Sequence, residues 1–568
     1  MISGNSGGIW KKTPFIKVYD NLKNTFLNAG YIENSDYFEW YYDWRQRLDS
    51  LAAALNNYLE TTVLPNQPPG TKIDLVGHSF GGLIARTYVQ NYGTDIIDDL
   101  VTSGSPHQGV LPAYMAWAGG QTANQFSWEN LLLDLYLHLH SGRFNSPVEA
   151  IQNLSPSLQD LLPIFDFAQK QTGATIPFTE MTTVNHYLQN LKTTLTPSLA
   201  AIMSTLAGTG QETLEQLILG ERSLADRLLG RWPDGRPVNL KSGNDGDGTV
   251  WQDSALIDGA EQTVINANHQ DLIQTPAGIQ TILDALGIDA ISQTGSEQTN
   301  LFPGLLFFLH SPAELTVTAP DGTVFINPED KLIFISNAAP GDYQIQILGT
   351  GNGVYQLDIG QLTAGGNFWS SVVEEIQTGN TDNWTVRFVP DQPLDYPVTN
   401  NHNSQIKTRL KQLKQKSSNA VLERFLNRII RLVDKNSFES LRLALTAIYQ
   451  YRYWVDRLDQ NNVEQKHEAD QIGQLLNQTV ILLGEDNYPL NRWPVRMELS
   501  LVRQAKNRLE KRLQKLDGEN ASLGNSWELI ERYFDRAEAS FTNNHYWQTH
   551  TDALVTGILI REANALLL

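Results

Sequence analysis

Residues 73–86 constrain this chain more than any other stretch. Ile73, Leu75 and Val76 form an apolar run of strand character that breaks at Gly77-His78-Ser79-Phe80-Gly81-Gly82, after which Leu83, Ile84, Tyr88 and Val89 continue at helical spacing. A serine set between glycines at a strand-to-helix junction sits on a sharp turn, since glycine leaves room for close backbone approach. Its hydroxyl then stands exposed at a helix N-terminus that favours developing negative charge. This is the pattern of a nucleophile elbow, with Ser79 as nucleophile and the Phe80 backbone amide as one oxyanion donor.

A serine hydroxyl needs a base to take its proton and an acid to orient that base. In α/β-hydrolase folds these follow the serine in the order acid, then histidine, on turns after later strands. Gly246-Asp247-Gly248-Thr249-Val250 follows a short strand candidate at Val238–Lys241, and His269 follows the stretch 263–268. Glycines around Asp247 suit a loop that presents a carboxylate, and Asp245 is its close rival. The run Asn244-Asp245-Gly246-Asp247-Gly248 also hints at a calcium loop. Counted from Asp245, however, the positions where an EF-hand needs Gly and Glu hold Val250 and Leu256. Neither a metal nor a cofactor is expected. His78 belongs to the elbow, His107 precedes an insertion, and His138 and His140 alternate in a leucine-rich stretch, so His269 is the candidate base.

The chain resembles α/β-hydrolase lipases of the lecithin:cholesterol acyltransferase type. Four features in order carry the likeness: Tyr42-Asp43-Trp44-Arg45 at the end of a strand candidate, the elbow, Gly104-Ser105-Pro106-His107-Gln108-Gly109, and Gly-Asp247-Gly-Thr-Val with His269 behind it. The likeness covers about half the chain, residues 10–285. The resemblance implies Ser79 as nucleophile, Asp247 as orienting acid and His269 as general base, with the tetrapeptide at 42–45 supporting the site. The start departs from the family, since no strand-length apolar run precedes the helix candidate at 19–29. Ser3–Gly8 stands where an oxyanion loop is expected, and the first strands of the sheet are expected to be absent.

From Val110 to about Arg236 an insertion departs from the core pattern and reads as helical, with apolar clusters at 111–117, 131–137 and 158–167 broken by prolines. In relatives such an insertion caps the serine. Beyond a linker at 291–300, strand signals recur at short intervals. They include a Pro-Asp-Gly turn after 315–318 and a hairpin expected from 343–348 and 354–359 around Asn352-Gly353. Six or so strands in about 90 residues argue for a β-sandwich. After a second boundary at 390–405, six segments between 421 and 567 carry apolar residues at three- and four-residue spacing, a helical bundle. The expected domains are therefore a hydrolase at 1–290 with its cap at about 110–236, a sandwich at 301–392 and a helical domain at 403–568. The linkers predict independent folding.

The net charge of -20 is uneven: residues 401–568 hold 24 Lys plus Arg against 20 Asp plus Glu, leaving 18 against 42 in the first 400. So acidic a catalytic half disfavours nucleic acid as a partner. No apolar run reaches the ~18 residues of a membrane span. The absence of cysteine excludes disulfides and a thiol nucleophile. No signal peptide is recognisable, yet the appended domains favour an extracellular or cell-surface setting, with peripheral contacts to membranes, surfaces or polymers. Two function classes follow: a serine ester hydrolase acting on lipid or other acyl esters, with acyl transfer as a variant outcome, and a catalytically impaired binding or structural protein on a hydrolase scaffold.

Overall fold

In the computed structural model the apolar run before the elbow is a strand, β1 (Ile73–His78), and the helix Phe80–Tyr92 follows Ser79 directly. The structure describes residues 19–121, 136–137, 143–290, 292, 303–310, 312–326, 331–363, 366–390, 402–458, 462–487, 490, 492–516 and 520–567. The candidate linker at 293–300, the leucine-rich stretch with His138 and His140, and Ser3–Gly8 lie outside these residues.

By contacts the chain divides into two units: residues 1–134, 151–221 and 232–299 form the first, and 135–150, 222–231 and 300–568 the second. The first is a parallel α/β unit. Its strands in chain order are β1, β2 (Ile97–Ser103), β3 (Ala168–Lys170), β4 (Thr175–Ile176), β5 (Met203–Thr209), β6 (Thr213–Gly220), β7 (Arg236–Gly243) and β8 (Glu261–Asn266). A four-stranded sheet has the order β1-β2-β5-β8 with every pairing parallel. Parallel neighbours need crossover connections, and the helix Phe80–Tyr92 supplies the first. Leu83, Ile84, Tyr88 and Val89 are all buried on it, joining Leu51, Leu55 and Leu100 in one core cluster. Among the described residues β1 is an edge strand, with Asp74 and Val76 exposed.

Two expectations change here. The stretch 110–236 is not simply helical, because β5 lies within it as a central strand and β3, β4, β6 and β7 form a second sheet of order β4-β3-β6-β7. β5 was hard to see because Ser204, Thr205, Ala207 and Gly208 dilute its apolar signal, while the leucines of β6 read equally well at helical spacing. The candidate at Val238–Lys241 does form part of a strand, β7, but at the edge of this second sheet. The strand candidate expected to end at Tyr42-Asp43-Trp44-Arg45 does not form, and the isolated bridge Glu33–Tyr37 lies just before it.

The second unit holds two antiparallel sheets and a run of helices. Its strands are β9 (Gly304–His310), β10 (Ala313–Thr318), β11 (Val324–Ile326), β12 (Leu332–Ile335), β13 (Gly341–Gly349), β14 (Gly353–Thr363), β15 (Gly366–Ile376) and β16 (Thr381–Phe388). They assemble as β11-β10-β13-β16 and β12-β9-β14-β15. Alternating residues of both sheets, among them Leu315, Ile345, Trp384, Phe307 and Leu357, meet in one core, as in a sandwich. β13 and β14 lie in different sheets, so the turn at Asn352-Gly353 crosses the sandwich and makes no hairpin. Local alternation cannot tell these outcomes apart, since both bury the same face. The Pro-Asp-Gly turn does join a hairpin, β10 to β11.

Helices at His402–Lys416, Ala420–Lys435, Phe438–Leu458, Val463–Asn487, Arg492–Leu513, Ala521–Thr542 and Tyr546–Leu566 complete this unit. The first of them is additional to the six expected, masked in the sequence by its Lys, Gln and Asn content. Its core includes Leu426, Ile448, Leu476, Trp527 and Leu559, and it also takes in Ala225 and Leu228. Those two belong to a short helix, Leu224–Leu228, reached after the chain leaves the first unit at Glu221 and before it returns at Trp232. The Leu228 carbonyl accepts from the Asn520 amide at 2.8 Å, Arg231 pairs with Glu528 at 2.5 Å, and Asn525 donates to the Asn145 carbonyl at 2.6 Å.

Candidate active site

Ser79 is the N-cap of the helix Phe80–Tyr92 and holds φ 54, ψ −126, a left-handed conformation that a non-glycine residue adopts only at a cost. Its neighbours enforce it. The Ser79 amide donates to the Ser103 carbonyl at 2.8 Å, extending the β1-β2 ladder past the end of β1, and the Gly82 amide donates back to the Ser79 carbonyl at 3.1 Å. A Cβ on Gly77 would stand 2.5 Å from the Cα of Gly82, so strand and helix touch backbone to backbone. The Phe80 amide belongs to the first turn of that helix, where backbone donors have no intrahelical acceptor.

Asp247 and His269 come together. The His269 Nδ1 lies 2.7 Å from the Asp247 Oδ2, and both side chains are buried. The Asp247 Oδ1 accepts from the amides of Thr249 and Val250 at 2.9 and 2.7 Å, which aims the other oxygen at the imidazole. A backbone bond reinforces the pair: the His269 amide donates to the Asp247 carbonyl at 2.8 Å. A carboxylate accepts only, so Nδ1 carries the proton and Nε2 is left as the basic nitrogen. Asp245, the rival acid, is exposed and uses its backbone carbonyl to accept from Gln252.

The loop that bears Asp247 lies at the C-terminal end of β5. Gln211 bridges to Asp247, the Gly210 amide donates to Asn244, and the Gly248 amide donates to the Thr213 hydroxyl. Chain separation between β5 and the acid is therefore an excursion through β6 and β7 that returns to its starting point. The segment Ser105–Gly109 braces the same region from the other side: the His107 amide donates to the Ser254 carbonyl at 2.7 Å, and the Ser254 hydroxyl donates to the Gly109 carbonyl at 2.8 Å. His107 itself is buried with its Nε2 3.0 Å from the Thr102 hydroxyl, and burial holds its ring well below the usual imidazole range. It is a structural histidine.

The imidazole of His269 lies against the backbone just after β2 and beside the ring of the residue that precedes Ser79. A Cβ on Gly104, the residue after β2, would stand 3.1 Å from both Cε1 and Nδ1 of His269, so this position must stay bare. The His78 ring centroid is 4.7 Å from that of His269. Its Nε2 lies 3.0 Å from the His269 carbonyl oxygen and its Nδ1 3.2 Å from the Tyr19 hydroxyl. Sequence reasoning set His78 aside as part of the elbow and gave Tyr19 no role; no motif links residues 59 and 191 positions apart. Tyr42 reaches the elbow as expected, its ring 6.3 Å from that of Phe80, but Arg45 forks onto Asp43 of its own tetrapeptide at 2.7 Å through both Nε and Nη2. Half-buried Phe165 stands 5.6 Å from Trp251, next to the acid loop.

A parallel sheet with a strained serine at a strand end and a buried Asp–His pair is the arrangement of an α/β-hydrolase fold. Residues 25–154, about a quarter of the chain, match the family described as palmitoyl protein thioesterase, and not the lecithin:cholesterol acyltransferase type that the motifs resemble. Comparison with curated proteins finds no match. Among solved structures, the propeptide form of Bacillus licheniformis lipase BlEst2 is similar at 14% identity, over 60% of this chain and 86% of that one, with a TM-score of 0.21. The Tle4–Tli4 complex gives 15% identity over 43% of this chain and 66% of that one, with a TM-score of 0.30. Among the described residues no helix is long and apolar enough to cross a membrane.

Proposed function

We propose that the protein hydrolyses acyl esters or thioesters through a covalent intermediate on Ser79. The observation that carries this reading is the Asp247–His269 pair held at 2.7 Å beside the strained Ser79 turn. In this reading the His269 Nε2 accepts the Ser79 proton as Oγ forms its bond to the acyl carbonyl carbon. The carbonyl π electrons move to oxygen, which takes a hydrogen bond from the Phe80 amide. Collapse breaks the bond to the alcohol or thiol, which leaves with the proton from His269. Water, deprotonated by the same nitrogen, then releases the acid and restores Ser79. An alcohol in place of water gives acyl transfer.

The family match supports a fatty acyl thioester, and the motif resemblance supports an oxygen ester of a lipid. Both leave the same acyl-enzyme, so a long acyl chain is the shared element of the substrate. The apolar pair Phe165 and Trp251 next to the acid loop suits such a chain.

Incubation of the full chain with an alkyl fluorophosphonate probe tests the reading. Modification at Ser79, lost in Ser79→Ala and accompanied by release of acid from p-nitrophenyl and thioester substrates, is expected. A folded wild-type chain that never takes up the probe would falsify it and favour the binding-protein alternative.

A further inference from the structure

The hydrogen-bonding of His78 is over-determined. A backbone carbonyl only accepts, so the contact of the His78 Nε2 with the His269 carbonyl at 3.0 Å places a proton on Nε2. In the neutral ring Nδ1 is then an acceptor, and the Tyr19 hydroxyl at 3.2 Å donates to it. Both nitrogens are used within the protein, and the ring is 8% exposed. His78 is thus unsuited to proton transfer with substrate, while its one donor is spent on the residue that does transfer protons.

We propose that His78 is a positioning residue that clamps the His269 loop to the nucleophile strand. His269 is held by its amide on the Asp247 carbonyl, by its Nδ1 on the Asp247 carboxylate and by its carbonyl on His78. The first two fix the base relative to the acid and would let the pair drift together. The third, from the residue adjoining Ser79, ties the base directly to the strand that carries the nucleophile.

The neutral state of His78 matters as much as its reach. A positive ring 4.7 Å from His269 would oppose the imidazolium that forms there during acyl transfer. Burial, followed by repulsion from His269, pushes the His78 ring down to about 3, partly offset by its bond to the His269 carbonyl. The clamp is therefore uncharged wherever a serine hydrolase works.

This inference rests on the acyl-transfer reading for its kinetics but not for its geometry, and the test separates the two. His78→Leu removes the donor; His78→Gln keeps an amide N–H at the Nε2 position. With a p-nitrophenyl ester, His78→Leu is expected to lower kcat about 100-fold with KM little changed, the order of loss from a displacement of about 1 Å. His78→Gln is expected to recover most of that rate, with thermal melts confirming that both variants fold. Equal kcat in wild type and His78→Leu, or equal loss in Leu and Gln, overturns the clamp. If the wild type shows no activity at all, the hydrolase reading fails, and imidazole ¹⁵N spectra decide the clamp alone. The signals that disappear in His78→Gln should belong to a neutral ring protonated at Nε2 from pH 5 to 8, and a ring protonated at Nδ1 or doubly protonated overturns it.

Discussion

Gly82 and Ser105 meet so closely that no side chain fits at position 82. A Cβ there would overlap the Ser105 hydroxyl, stand 2.9 Å from the Ser105 Cβ and 3.0 Å from the Gly77 carbonyl. The second glycine after Ser79 and Phe80 serves packing between the elbow helix and the segment after β2. Gly82→Ala should destabilise the chain by about 1–3 kcal/mol, the usual cost of overpacking. Ser105→Gly should restore part of this loss, because the hydroxyl is the nearest obstacle. Urea unfolding of the two single variants and the double variant measures the coupling, and strict additivity would mean that the two residues do not share one space.

The two neighbouring acids should behave differently. Asp247 is 1% exposed and bonded to His269, so Asp247→Asn presents an amide N–H or a weaker acceptor to Nδ1 and disturbs the tautomer. A fall in kcat of about 10⁴-fold is the precedent for loss of the orienting acid in serine triads. Asp245→Asn leaves the backbone carbonyl that accepts from Gln252 in place and should stay within a few-fold of wild type. Ester turnover of both variants decides, and a severe loss in Asp245→Asn alone would move the acid.

Glu374 of β15 offers a pH-dependent stability test outside the active site. Desolvation is the main cause that raises it from 4.5 to about 7, with a bond from the Ser404 hydroxyl at 2.7 Å acting against the shift. Between these values the native state binds more protons than the unfolded chain, so this group makes stability fall as pH rises from about 4.5 through 7. Glu374→Gln should raise the melting temperature at pH 8 and change it little at pH 4. Paired melts at the two pH values measure this, and an equal shift at both would show that ionisation is not the cause.

Truncation after residue 290 tests how far the linkers separate folding units. Ala225 and Leu228 are buried in the core of the helical unit, and a Cβ on Gly524 would stand 2.6 Å from Leu229. A fragment ending at 290 keeps these apolar side chains and loses every partner beyond residue 300. Aggregation, or a melting temperature well below that of the full chain, is expected in place of a soluble hydrolase with unchanged turnover. Changing Ala225, Leu228 and Leu229 to polar residues should improve the fragment's solubility. A monomeric, fully active 1–290 would show that the excursion is dispensable.

What could be read in the sequence was local or ordered along the chain. The elbow declares itself because strand, glycine turn and helix fall within 14 residues, and Asp247 and His269 follow in the order that such folds use. The two sheets of the sandwich were legible as strands, but their pairing was not: β13 and β14 are adjacent in sequence yet belong to opposite sheets. β5 carries a weak apolar signal because three of its buried positions are Thr205, Ala207 and Gly208, beside only Met203 and Leu206, and Gly208 is kept small by the Asp247 Cβ 2.7 Å from where its own would stand. Contacts such as Tyr19 to His78 leave no periodic trace, since each depends on two side chains brought together only by the finished fold.

The excursion of residues 222–231 also bears on how the chain is made. The Leu228 carbonyl waits for the Asn520 amide, 292 positions later by their numbers, so at about 5–20 residues per second some 15–60 s of synthesis separates the two. Through that interval Ala225 and Leu228 have emerged while their apolar partners in the last helices have not. A ribosome bearing this chain therefore carries a short apolar helix whose partners are still to be made, and synthesis must reach the last helices before Ala225 and Leu228 are covered.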